Sequence, residues 1–219
     1  MSSRTRRLYK PPPSAYHFPM KAWSIILLAT AALSIFVLLQ LLRPDATTAV
    51  ERSTGTALIG GPFEAIDHTG ERFTDADLKG QYSLVYFGFT HCPDVCPTGL
   101  LKISNVMDSL GGIAEKLVPI FITLDPERDT PEVMAQYVQH FDDRMIGVTG
   151  TAEQIDTIAK AYKVYYKKSE QADSALGYLV DHSSFTYLMG PDGNYITHFS
   201  HDASDSEMHM GILKALEEK

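Results

Sequence analysis

Cys92 and Cys96 are the two cysteines of the 219-residue chain, and Pro93, Asp94 and Val95 separate them. A disulfide closing so short a loop adds little stability, because the chain-entropy gain grows with loop length. A close pair in a chain otherwise free of cysteine points to redox or metal chemistry. Each cysteine precedes a proline. A residue before proline is biased away from helical angles. Both thiols are therefore expected on a loop, with Cys96 at the mouth of the helix that follows. Helix N–H groups and the helix dipole favour thiolate there. Thiolate is the form that binds soft metals and the form that attacks disulfides.

Two thiolates leave a soft ion under-coordinated, and one imidazole would complete a three-donor set. Two sulfurs and one nitrogen suit copper in either oxidation state. Closed structural zinc sites use four protein ligands, so zinc ranks lower. The chain has eight histidines. His68 falls in a predicted turn and His140 late on a predicted surface helix. His198, His201 and His209 lie on or past the last predicted strand, where solvated surface is the ordinary reading. His91 adjoins Cys92, and a neighbour in an extended loop points the other way. His17 precedes the apolar segment described below. His182 lies between two predicted strands, in VDHSSF. Pattern alone leaves both a ligand and a structural role open for it.

The elements that must position these residues follow from periodicity and punctuation. Gly60 to Lys79 reads as a hairpin turning at HTG, with a short helical stretch from Asp75 to Leu78. Ser83 to Phe89 and Leu117 to Leu124 are apolar, β-rich runs and read as buried strands. A helix starts near Pro97 and ends at Gly111-Gly112. Thr130 with Pro131 opens a second helix, running to about Phe141. Met145 to Val148 is a strand, and Thr151 with Gln154 forms a capping box that opens a helix to about Tyr162. Tyr178 to Asp181, Phe185 to Met189 and Tyr195 to Phe199 are strands, the last pair joined at GPDG. Ser206 to Glu217 is a closing helix. Alternating strands and helices predict an α/β fold with a mainly parallel sheet, made mixed by the final hairpin. Sites in such sheets lie beyond the strands' carboxyl ends. Cys92 and Cys96 follow the run ending at Phe89, which is that place.

Trp23 to Leu42 is 20 residues without a charge, the length that crosses a ~30 Å hydrocarbon core as a helix. It is longer than a signal-peptide core and lacks a clean cleavage site, so it reads as an uncleaved anchor. Residues 1–22 form a basic segment, 43–56 a polar linker and 57–219 the exported domain. Met20 is an alternative start to Met1. The excess of Lys and Arg before the span puts that side in the cytoplasm, or in a mitochondrial matrix. The domain then faces the periplasm or the intermembrane space; the short N-terminal region favours a bacterial inner membrane. Residues 1–42 carry five basic residues and no acid, leaving 14 basic against 27 acidic residues beyond them. A domain that acidic repels phosphate backbones, which argues against nucleic acid. The chain has no haem-attachment motif, phosphate-binding glycine loop or serine elbow.

The stretches FGFTHCPDVCPTGL (87–100), LDPERDTPE (124–132), GVTGT (147–151) and DHSSFTYLMGPDG (181–193) resemble the Sco/SenC family of copper chaperones for cytochrome c oxidase. The resemblance spans the exported domain from about residue 60. It implies a thioredoxin-like fold with Cys92, Cys96 and His182 as copper ligands. It also implies a non-enzymatic metallochaperone that presents Cu(I) or Cu(II) to the CuA centre of oxidase subunit II. An upstream copper donor and a thiol reductant are implied partners. Thioredoxins carry a cis-proline near the position of His182, and this chain has none there. Asp181 is a candidate acceptor orienting the imidazole, and Asp125 a candidate lining residue; each also reads as an ordinary surface or turn acid. Two other functions stay open: an exported thiol–disulfide oxidoreductase using Cys92 and Cys96, and a peroxidase using Cys92 alone.

Overall fold

The structure is a computed structural model that describes residues 58–170 and 177–217, with residue 33. Two units divide the chain, Met1–Thr54 and Gly55–Lys219. The second holds every described residue except residue 33. Its strands are β1 (Glu64–Asp67), β2 (Arg72–Thr74), β3 (Tyr82–Gly88), β4 (Leu117–Thr123), β5 (Ile146–Thr149), β6 (Tyr166–Glu170), β7 (Tyr178–His182), β8 (Phe185–Met189) and β9 (Tyr195–Ser200). The helices are α1 (Val95–Ser109), α2 (Pro131–Val138), α3 (Ala152–Ala161) and α4 (Asp205–Glu217).

Seven strands make one sheet in the order β2-β1-β5-β4-β3-β8-β9. Every residue of β3 and β4 is buried, as their continuous apolar runs require when both faces are covered. The pairs β3–β4 and β4–β5 are parallel, and the other pairings are antiparallel. The mainly parallel sheet expected from the β/α alternation is thus a parallel centre with antiparallel flanks. The cause is chain reversal: the β1–β2 and β8–β9 hairpins pair antiparallel by construction. The capping signals hold. Thr130 Oγ1 accepts from the Val133 N–H (3.4 Å), and Thr151 and Gln154 exchange both capping-box bonds.

Two further differences bear on the site. Helix α1 begins at Val95, ahead of Pro97, so Cys96 lies in its first turn rather than on the loop. Pro97 still fits, because first-turn N–H groups have no helical partner to lose. Strand β6, absent from the sequence-based reading, pairs only with β7 in a separate two-stranded ribbon. Its sequence, YKKSE, carries too little apolar alternation to read as a strand, because a ribbon standing off the sheet has little face to bury. No helix among the described residues is long and apolar enough to cross a membrane. The predicted anchor and linker lie outside the described residues, apart from residue 33.

Candidate metal centre

Two separate pieces of chain supply the site. The thiol half hangs from the end of β3. There Thr90 donates its N–H (3.0 Å) and its hydroxyl (2.6 Å) to the Asp129 carboxylate. Thr123, last in β4, donates a third bond to Asp129 at 2.5 Å. Asp129 is fully buried, and these three donors satisfy its charge. The Cys92 N–H then donates to the Phe89 carbonyl (3.2 Å), turning the chain into α1. Cys96 is fully buried and its sulfur lies over Gly88. A Cβ at Gly88 would stand 2.8 Å from Cys96 Sγ and 2.9 Å from the Phe121 ring, so the bare backbone there makes room for the thiol.

The imidazole half ends β7. The Ser183 N–H donates to the Tyr165 carbonyl (3.0 Å), closing the ribbon's base. The His182 ring meets Phe89 edge-on, 6.2 Å between centroids. His182 Nδ1 lies 3.0 Å from the Ser183 carbonyl. A carbonyl only accepts, so Nδ1 carries the proton and Nε2 keeps a lone pair. That Nε2 stands 3.5 Å from Cys96 Sγ, across 86 residues of chain. Burial lowers the His182 pKa, so the ring is a neutral donor near pH 7.

The two thiols are unlike. Cys92 is pulled down to about 5, chiefly by its contact with the Cys96 thiol, against the opposing effect of burial. The N–H of Cys96 supports it, donating to Cys92 Sγ at 3.4 Å. Cys96 moves the other way, raised by that same contact and then by burial. Cys92 is accordingly the reactive sulfur, and reaction needs its thiolate. Its alkylation rate in the reduced protein is expected to hold from neutrality down to about pH 5 and to fall below that. A free thiol instead loses rate below ~8.5. Iodoacetamide kinetics followed by mass spectrometry, with Cys96 unmodified throughout, checks this.

The other candidates fall where their chemistry allows. His91 is exposed and turns to Thr90, 3.1 Å from its hydroxyl. His68 Nδ1 accepts from the Gly147 N–H (3.1 Å), tying β1 to β5. His209 contacts Ser109 (2.6 Å) at the C-terminal end of α1. Asp181 is exposed, and the Ser183 carbonyl has the orienting role suggested for it. Asp125 is fully buried but bonded to Tyr178 and Arg128 rather than to the thiols. Sequence reasoning missed Asp129. The available signal was the run of Asp125 and Asp129 straight after a buried strand, where an acid needs partners.

A cleft of about 280 Å³ lies over the site, lined by Phe89, Cys92, Pro93, Asp94, Val95, Leu179, Val180, Asp181, His182 and Ser184. Among the described residues no three His, Cys, Asp or Glu side chains are already gathered to hold an ion. Cys96 touches both His182 and Cys92.

A thioredoxin-like sheet with a dithiol at the mouth of α1 and a facing imidazole defines a class of dithiol–imidazole proteins on that fold. Residues 51–217 match the SCO1/SenC family model, and the chain belongs to that family. It is 46% identical over 164 residues to the human protein SCO1 homolog, mitochondrial, covering 74% of this chain and 54% of the human one. It is 43% identical over 183 residues to an SCO2-like protein of Rickettsia felis, covering 83% of this chain and 89% of that one. The crystal structure of Arabidopsis thaliana ScoI with copper bound is 41% identical and superposes with a TM-score of 0.70, covering 74% of this chain and 99% of that one.

Proposed function

We propose that this chain is a copper metallochaperone that holds one copper ion between Cys92, Cys96 and His182. The observation that carries the reading is the 3.5 Å approach of His182 Nε2 to Cys96 Sγ. An ion bonded at ~2.3 Å to thiolate and ~2.0 Å to imidazole spans such a gap with a bent angle. The donor set fits as well: a neutral imidazole with its lone pair outward, a thiolate-prone Cys92, and a buried thiol that releases its proton to solvent as its sulfur takes the ion. Cys92 sits half-buried in the cleft wall with its sulfur against Cys96. Copper bound in the Arabidopsis relative supports the choice of ion.

The soft, cleft-facing site suits ligand exchange, and the family resemblance gives the acceptor as the CuA centre of cytochrome c oxidase subunit II. Delivery from an upstream donor and rereduction by a thiol reductant complete the cycle. The anchor at residues 23–42 holds the chain in an inner membrane by a single pass. Its N-terminus is cytoplasmic and residues 57–219 are periplasmic, or in the intermembrane space of a mitochondrion. The ordinary test is a copper titration of the reduced full chain beside its Cys92→Ser and Cys96→Ser variants. One ion per chain is expected for the parent and none retained through desalting by either variant. Stoichiometric copper in both variants would contradict the assignment.

The contrast between Cys92 and Cys96 favours a second reading, thiol–disulfide exchange. Cys92 thiolate would attack a substrate disulfide and release one thiolate. Cys96 would then displace the second, leaving the Cys92–Cys96 disulfide and a reduced substrate. The two readings coexist, because copper loading needs the dithiol that exchange consumes.

A further inference from the structure

Among the described residues the ribbon of β6 and β7 pairs with no strand of the main sheet, so His182 is laddered only to Tyr166 within the ribbon and not to the sheet that carries the thiols. Its base is tied by the Ser183 to Tyr165 bond. Its far end is held by side chains. The Tyr178 hydroxyl donates to Asp125 Oδ1 at 2.7 Å. The Arg128 guanidinium lies 3.8 Å from the centre of the Tyr178 ring, donates to the Tyr178 carbonyl (3.3 Å) and pairs with Asp125. Lys168 of β6 pairs with Glu127 (2.7 Å) in the same loop. Asp125 and Asp129 both bond to Thr123: the Asp125 N–H donates to Thr123 Oγ1 (2.9 Å), and that hydroxyl donates to Asp129. One hydrogen-bonded path therefore runs from Thr90 in the thiol loop, through the end of β4, to Tyr178 at the head of β7. His182 is four residues further along β7, roughly 13 Å at the usual strand rise.

We propose that Asp125, Arg128 and Tyr178 form a latch that aligns the His182 ribbon with the thiols and so sets how tightly copper is held. They are positioning residues and touch no copper donor. The proposal rests on the copper reading above. A strand held at both ends keeps its last side chain on target. Loss of the outer hold lets the imidazole wander from Cys96, while the thiol half, anchored separately on β3 and α1, is unchanged.

The test is a double-mutant cycle on the full chain in detergent, with Cu(I) affinity read by competition against a chromophoric chelator. Tyr178→Phe removes only the hydroxyl and keeps the ring under Arg128. It is expected to weaken copper about tenfold, the scale on which a residue that touches no ligand alters a remote site, with Cys92 alkylation at the parent rate. In a His182→Ala background, where the dithiol alone still binds Cu(I) weakly, Tyr178→Phe is expected to change affinity less than about twofold, because its effect passes through the missing ring. Parent-like affinity in Tyr178→Phe alongside a large loss in His182→Ala overturns the latch and leaves the copper reading standing. Equal losses in both backgrounds also overturn it, since the hydroxyl then supports only the fold. No loss in His182→Ala removes the copper reading and the latch together.

Discussion

His182→Ala is expected to weaken copper binding by more than about 100-fold, beyond the ~10–100-fold cost of losing an outer partner of a ligand. The reduced dithiol should meanwhile stay reactive towards disulfides. The reason lies in the separation of the two halves. Cys92 owes its low pKa first to Cys96 and next to the backbone N–H groups of Asp94 and Cys96, with His182 last. Removing the ring therefore takes away a nitrogen donor but leaves the nucleophile. Chelator competition read beside an insulin-type disulfide reduction assay distinguishes the outcomes. If copper affinity and disulfide reduction fall together, the histidine acts through the fold and not as a donor. If copper affinity is unchanged, the site is a bare dithiol.

Asp129→Ala has the largest expected effect on the fold. It leaves the Thr90 N–H, the Thr90 hydroxyl and the Thr123 hydroxyl without their acceptor. The stranded Thr123 hydroxyl is buried and costs about 1–3 kcal/mol, while the two half-buried Thr90 donors cost less because water reaches them. A net loss of roughly 2–4 kcal/mol is expected, a large share of the ~5–15 kcal/mol that holds a typical domain. The Thr149 hydroxyl bond to the Asp129 carbonyl (2.7 Å) survives, since it uses the main chain. Urea melts followed by circular dichroism measure the change. Asp129→Asn keeps one acceptor oxygen and should lose less. Equal stability of Asp129→Ala and the parent would show that the carboxylate does not hold the thiol loop.

The thiol half was legible in the sequence, and the imidazole half was not. Ser83 to Phe89 announces a buried strand by its apolar, β-rich composition, and two prolines beside two cysteines announce the turn and helix. The signals that mark the two thiols lie within 15 residues. His182 is different: its partner is 86 residues away, and no local period distinguishes it from seven other histidines. The family-like stretch DHSSF selected it, and folding supplied the reason. The ribbon's first strand escaped notice because β6 stands off the sheet and has little to bury. Asp125 reads as a lining or turn acid, and the burial of Asp129 goes unmarked, for a similar reason. Their burial is imposed by the end of β4, which local sequence does not reveal.

X-ray absorption at the copper edge of the Cu(I)-loaded full chain tests the coordination most directly. The account predicts two sulfur neighbours and one nitrogen, with the outer-shell scattering that marks an imidazole, and that scattering vanishing in His182→Ala. A parent spectrum of sulfur neighbours alone, without imidazole scattering, would contradict it.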